Sequence, residues 1–278
     1  MERLSSDVRK IIDGHDIDVR DNREGAWSIL KNDIHTLASL KTEQAGILKR
    51  ERDQMRDTLA DVAHQIITPL TSMTIMTDLL ADAPPDRRED FLANIHAGLA
   101  RMEWLVSCLL KMAKLDAGAV DFSPEPVASS AVIARALEPL QILLDVRNQC
   151  VRTVGETELF CDKRWTAEAL TNVVKNASEH SPAGAVLRVE SGANPLCSWI
   201  SVTDGGRGIA PDDIARLFTR FEGSRSDTGY GVGLPLALAI MRGQNGDIDV
   251  DTGGNTTGAT ITLKLYPPPR PIDPLAQV

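Results

Sequence analysis

Apolar residues in the first part of the chain fall at intervals of three and four. Leu4, Val8, Ile11 and Ile12 form one such stripe, and Ile29, Leu30, Ile34, Leu37 and Leu40 form a second. That spacing places the apolar groups on one face of a helix. Two short helices are therefore expected, one on each side of the polar connector 13–26. Neither stripe is wide enough to close a core alone, and a parallel dimer is the natural way to bury both. A longer helix is predicted from about Thr42 to Ala81, carrying Leu59, Val62, Ile66, Leu70, Met73 and Leu80. Pro84 and Pro85 cannot continue it, so the chain turns there. From about Glu89 to Asp116, Phe91, Ile95, Met102, Leu105, Leu109 and Met112 recur at heptad-like intervals. Two stripes joined by a short turn predict an antiparallel helical hairpin. Two hairpins from two chains would close a four-helix bundle, which makes a homodimer the expectation.

The pattern changes near Ala117. Residues 117–127 read as a linker, after which helical and strand signals alternate. Segments 136–147 and 164–180 look helical, while 186–191, 199–204 and 260–266 have the β-rich composition of strands. This mixture predicts an α/β sandwich of one layer each, and an α+β fold class for the whole chain. The expected boundaries are a helical linker over 1–50, the hairpin over 51–118, the sandwich domain over 119–268 and a proline-rich, disordered tail over 269–278.

Composition narrows the function classes. The 278 residues suit two or three modest domains, and the net charge of −9 argues against nucleic acid as a partner. Cys108, Cys150, Cys161 and Cys197 form no CxxC pair and have no suitably spaced histidines, so they read as reduced thiols of a cytosolic compartment. No signal peptide opens the chain, and no apolar run reaches the ~18 residues of a membrane-spanning helix.

Four places carry candidate chemistry. His64 lies beside Val62 and Ile66 but between the main apolar positions, so its ring should reach solvent. A free imidazole lone pair near neutral pH can attack a phosphoryl group. Asn172 and Asn176, four apart on one predicted helix face, can offer amide oxygens to Mg²⁺ and its phosphate ligands. Asp204 ends the predicted strand 199–204 and is followed by Gly205, Gly206 and Gly208, giving an acceptor beside a backbone that can approach a flat ligand. Gly229, Gly231 and Gly233 precede Leu234 at the opening of a helix, where glycine N–H groups form an anion site. No strand leads into this triplet, so it is not a dinucleotide fingerprint.

In this order and spacing, the four places resemble the signature boxes of bacterial two-component sensor histidine kinases. Phe218 and Phe221 in Leu217–Phe221 match that family's aromatic box. The resemblance covers roughly residues 55–265. It implies a dimerisation and phospho-acceptor hairpin followed by an ATP-binding domain of the gyrase, Hsp90, histidine-kinase and MutL type. His64 would be the phospho-acceptor, and Asn172 and Asn176 would hold Mg²⁺ and the ATP phosphates, with Asn176 the metal ligand. Asp204 would accept from the adenine amino group in a pocket shaped by Gly206 and Gly208. His180 would stack near the nucleotide. The stretch Phe218–Gly233 would form a lid placing Gly229, Gly231, Gly233 and Leu234 against the phosphates, with Arg220 or Arg225 near the γ-phosphate. The phosphoryl group would pass to an aspartate of a response regulator, and Thr68 would orient water for removing it again. The resemblance also implies the cytoplasmic portion of a cell-membrane sensor, tethered through a segment outside this chain.

Two positions depart from the family pattern. Gln65 stands where an acidic residue usually follows the histidine. An amide can hydrogen-bond the ring but cannot take its proton. That predicts slow autophosphorylation, with phosphatase activity prominent. Glu179 stands where many members place a basic residue near the phosphates. The competing readings are a phosphatase-biased or pseudokinase scaffold, which Gln65 favours, and an ATPase of the chaperone or topoisomerase kind, which the His64 hairpin disfavours.

Overall fold

The computed structural model describes residues 26–82, 84–221, 231–252 and 258–267. The helix expected through Leu4–Ile12, most of the connector 13–26 and the tail 269–278 lie outside them. The chain divides into two compact units, Met1–His64 and Gln65–Val278, and each is taken by itself.

In the first unit the described residues belong to helix α1 (Ala26–Asp82). This corrects the expectation of a helix over 29–40 separate from one starting near Thr42. Neither Gly nor Pro occurs between Leu37 and Gln44, so nothing there interrupts the backbone hydrogen-bond ladder. Leu37, Leu40, Ile47 and Leu48 are exposed on this helix.

The second unit begins within α1. Its partner helix α2 (Pro85–Asp116) starts with Pro84 at the N-cap and proline in the first turn, where the missing N–H would have had no intrahelical acceptor. Gly98 lets the two helices close together, since a Cβ there would lie 2.8 Å from Met73 Sδ. Met73, Leu105, Cys108 and Met112 are buried, whereas Ile67, Leu70, Ile75, Leu79, Leu99 and Leu110 are exposed. Leu70 belongs to the predicted stripe yet is 50% exposed.

After the linker come β1 (Glu125–Ala128), α3 (Ser129–Leu137), α4 (Gln141–Val146), β2 (Cys150–Val154), β3 (Glu158–Cys161) and α5 (Lys163–His180). Then follow β4 (Val186–Ala193), β5 (Ser198–Thr203), α6 (Ile214–Leu217), α7 (Gly233–Gly243), β6 (Gly246–Asp251) and β7 (Thr260–Leu265). Strands β2, β4, β5, β7 and β6 form one five-stranded sheet in that order, while β1 and β3 pair as a separate antiparallel ribbon. Only β2 and β4 run parallel. The register places Val189 opposite Val202, Ile200 opposite Leu263 and Leu263 opposite Ile248, and all five are buried. Their neighbours along β4 and β7 are less covered, in the period of two that one packed face imposes. Helices α5 and α7 pack on the sheet and on each other, and α3 packs on α5. The fold is the expected helical hairpin followed by a two-layer α/β domain.

Candidate active site

Helix α5 is fixed at its start by Asp162. The Oδ1 of this residue accepts from Arg164 N and Trp165 N at 3.0 and 3.1 Å, while Oδ2 accepts from Ser123 N. One face of α5 buries Leu170, Val173, Val174 and Ala177. Asn172 follows this face inward and is 4% exposed, its Nδ2 donating to Glu168 O at 2.9 Å. That bond turns Oδ1 toward the start of α7, where a Cβ on Gly233 would lie 3.2 Å from it. Glycine thus lets the N-terminal turn of α7 sit directly against the first asparagine. Asn176, one turn later, is half-buried on the wall of the same cleft, and its side chain makes no hydrogen bond with a described residue.

Asn172, Asn176, His180, Gly231, Gly233 and Leu234 line this cleft together. Four further lining residues were not anticipated as such: Trp104, Lys175, Leu217 and Pro235. Trp104 comes from α2, and the Lys175 ammonium sits 3.7 Å from its ring centroid. Lys175 also lies 4.0 Å from Glu179 Oε1. Burial pushes the Glu179 carboxyl above its ordinary value of 4.5, against the opposite pull of Lys175 and then Arg147. Below the cleft, Lys111 of α2 donates to Glu168 of α5 at 2.6 Å. Cys108, between these contacts, is buried enough for its thiol to be pushed up to about 12, which makes it an inert packing group.

The Asp204 region adjoins the cleft at His180. Asp204 follows β5, and its Oδ1 accepts from Gly206 N at 2.8 Å and Ala259 N at 3.1 Å. Its Oδ2 receives no hydrogen bond from a described residue. Gly206 has no room for a side chain, because a Cβ would lie 2.6 Å from His180 O. Gly208 adopts φ +75 beside Thr252 O, a left-handed conformation that glycine takes without strain.

Phe218 is half-buried and Phe221 buried, the latter at φ +67 with its N–H donating to Gly231 O at 3.0 Å. Arg220 is engaged with both oxygens of Asp116, at 2.9 and 2.8 Å, and does not line the cleft. Gly229 and Arg225 lie outside the described residues. His64 and Thr68 are exposed on α1, and Gln65 is half-buried.

The donor set fits a nucleotide and a hard cation. Among the described residues there is no cluster of three His, Cys, Asp or Glu side chains. A Mg²⁺ ion here would take an asparagine oxygen, phosphate oxygens and water, the usual company of an ion that keeps much of its hydration. The side-chain amide of Asn176, uncommitted among the described residues, would be the group to supply such a protein ligand.

Comparison with known proteins agrees with this layout. Residues 54–118 match the His Kinase A (phospho-acceptor) domain, and residues 161–269 match the histidine kinase-, DNA gyrase B- and HSP90-like ATPase. The heme sensor protein HssS of Staphylococcus saprophyticus is 30% identical over 225 residues, which are 79% of this chain and 49% of that protein. The signal transduction histidine-protein kinase/phosphatase MprB of Mycolicibacterium smegmatis is 29% identical over 242 residues, 82% of this chain and 48% of that protein. The chain thus spans about half the length of these relatives. Among solved structures, the Acinetobacter baumannii histidine kinase AdeS superposes with a TM-score of 0.61 at 23% identity, covering 73% of this chain and 97% of that one. The histidine kinase ThkA, solved in complex with the response regulator protein TrrA, gives a TM-score of 0.64 at 18% identity, covering 81% and 66%. These two likenesses concern the fold.

Proposed function

The chain belongs to the two-component sensor histidine kinases, and from that premise we propose that it transfers the γ-phosphoryl group of ATP to His64 and then to an aspartate of a response regulator. The observation that carries this reading is the cleft itself. Asn172, Asn176 and the start of α7 converge on it, and Asp204 lies one loop away with an uncommitted oxygen. A triphosphate against α7 would meet N–H groups at the positive end of the helix dipole. Mg²⁺ at Asn176 would offset charge on the phosphate oxygens during transfer. Asp204 Oδ2 would accept from the adenine amino group.

The chemistry asks an unprotonated imidazole nitrogen of His64 to attack the γ-phosphorus in line with the departing ADP oxygen. The N–P bond forms as the P–O bond to ADP breaks. The phosphoramidate then passes its phosphoryl group to a regulator carboxylate. Thr68, exposed one turn beyond His64, is read as the group that orients water for the reverse regulation. Exposed apolar residues on the hairpin, such as Ile67, Leu70 and Leu99, support a homodimer closed as a four-helix bundle. By family likeness, the native protein is read as a membrane sensor tethered through a segment outside this chain. No helix among the described residues is long and apolar enough to cross a membrane.

A second reading, a scaffold or phosphatase that binds ATP but transfers little, is favoured by Gln65 alone. Incubation with γ-labelled ATP and Mg²⁺, then with a purified receiver domain, separates the two. Label that appears on the chain and moves to the receiver supports the kinase. ATP binding without label, together with dephosphorylation of a phosphorylated receiver, supports the second reading.

A further inference from the structure

Behind the Asp204 loop lies a buried polar assembly that the reaction as described does not use. The turn from α5 into β4, residues 181–185, is attached on one side to the segment between α4 and β2. Gln149 is 5% exposed there. Its Nε2 donates to Ser178 O and Pro182 O, each at 3.0 Å, and lies 3.4 Å from Ser181 O. Its Oε1 accepts from Ser178 Oγ at 2.5 Å. The Arg147 guanidinium donates to Ser181 O at 3.0 Å, Gly184 N donates to Arg147 O at 2.9 Å, and Cys150 N donates to Ala185 O at 3.1 Å. These bonds satisfy carbonyls that the end of α5 would otherwise leave open.

The other side of the same turn carries the Asp204 loop. Ser181, 3% exposed, accepts from Gly205 N through Oγ at 3.0 Å. His180 O occupies the place where a Gly206 side chain would stand. Gly206 N in turn orients Asp204 Oδ1. An unbroken series of contacts therefore runs from Gln149 and Arg147 through Ser181 to Gly205, Gly206 and the carboxylate.

We propose that Gln149 and Ser181 are positioning residues for base selection: they hold the 204–206 loop so that Asp204 Oδ2 faces the exocyclic amino group of adenine. This rests on the ATP reading of the site. A helix-end cap with no such role would lower stability and weaken all nucleotides alike, whereas a brace acting through Asp204 affects the base that carries the amino donor.

The test compares ATP with inosine triphosphate, which has a 6-oxo group in place of the 6-amino donor. Calorimetric titration in Mg²⁺ is run on the full chain and on Ser181→Ala, Ser181→Thr and Gln149→Met, beside their thermal midpoints. The wild-type chain is expected to prefer ATP. Ser181→Ala and Gln149→Met lose roughly tenfold of that preference, the scale of one misplaced charge-assisted hydrogen bond. Their affinity for inosine triphosphate changes little, and Ser181→Thr, which keeps the hydroxyl, retains the preference. Parallel weakening of both nucleotides, or an unchanged ratio in Ser181→Ala, overturns the brace. A wild-type chain that binds neither nucleotide overturns the ATP reading on which it rests. If Gln149→Met does not fold, the Ser181 pair still decides the matter.

Discussion

Neighbouring glycines in the Asp204 loop should respond very differently to the same added methyl group. At Gly206 an alanine Cβ would lie 2.6 Å from the His180 carbonyl oxygen and 3.0 Å from Asp204 Oδ1. The first distance is about 0.8 Å inside the 3.4 Å at which ordinary contact begins, and the obstacle is backbone, which cannot rotate away. Crowding of this kind costs about 1–3 kcal/mol when the surroundings must shift. The shift also moves Gly206 N, which donates to Asp204 Oδ1 at 2.8 Å. Disturbing a hydrogen bond to a charged group costs about 1.5–3 kcal/mol, so ATP affinity should fall roughly 10- to 100-fold. The strain, taken as about 2 kcal/mol, should lower the thermal midpoint by roughly 4–8 °C. At Gly205 the added Cβ meets only Ala185 Cβ at 3.5 Å, an ordinary contact. Gly205→Ala should therefore bind ATP within about twofold of wild type, as for substitutions that disturb no special feature. Titration of both variants with Mg·ATP, beside thermal scans, measures the contrast. Equal affinities, or a larger loss at Gly205, would refute the geometric argument.

The remaining expectations concern charge and proton transfer. Gln65→Glu supplies a carboxylate that can take the imidazole proton, so the initial rate of autophosphorylation should rise by about 10²-fold, the low end of the usual contribution of a positioned general base; an unchanged or lower rate would count against that role. Burial raises the folded-state value of the Glu179 carboxyl above 4.5, so its contribution to stability is full below the unfolded value and is lost as pH rises through the folded one. A nearby triphosphate favours the protonated form further, so ATP affinity should strengthen as pH falls through that window. Glu179→Gln should flatten the profile, and a profile identical to wild type would sink the assignment. The Lys111–Glu168 pair, at 2.6 Å with both side chains about one-third exposed, should show a coupling of about 1 kcal/mol in a double-mutant cycle of denaturant unfolding with Lys111→Met and Glu168→Gln. Zero coupling would mean that α2 and α5 are not joined there in solution.

The hairpin and α5 are legible in the sequence because their apolar residues keep a helical period and prolines mark the turn. The asparagines four apart share the cleft for the same local reason. The break expected near Thr42 is absent because a change in stripe direction does not by itself end a helix. Strands β1, β2, β3 and β6 were not anticipated. In β6 the period of two is present, with Ile248 and Val250 between Asp247, Asp249 and Asp251, but aspartate is a poor strand former and only Ile248 is buried. The register with β7, not the strand's own composition, makes it part of the sheet. Nothing in the sequence pattern singles out Trp104 as a site residue. Its place in the cleft depends on the packing of α2 against α5, which joins residues some seventy positions apart. The brace at Gln149 is hidden for a related reason: one buried glutamine satisfies carbonyls on a turn about thirty residues away.

The most direct test of the central claim is labelling of the full chain with γ-labelled ATP and Mg²⁺, beside His64→Ala. The account predicts label on the wild-type chain that is lost in acid and stable in alkali, as a phosphoramidate should be, and no label on the variant. Label that survives acid, or that persists in His64→Ala, would contradict it.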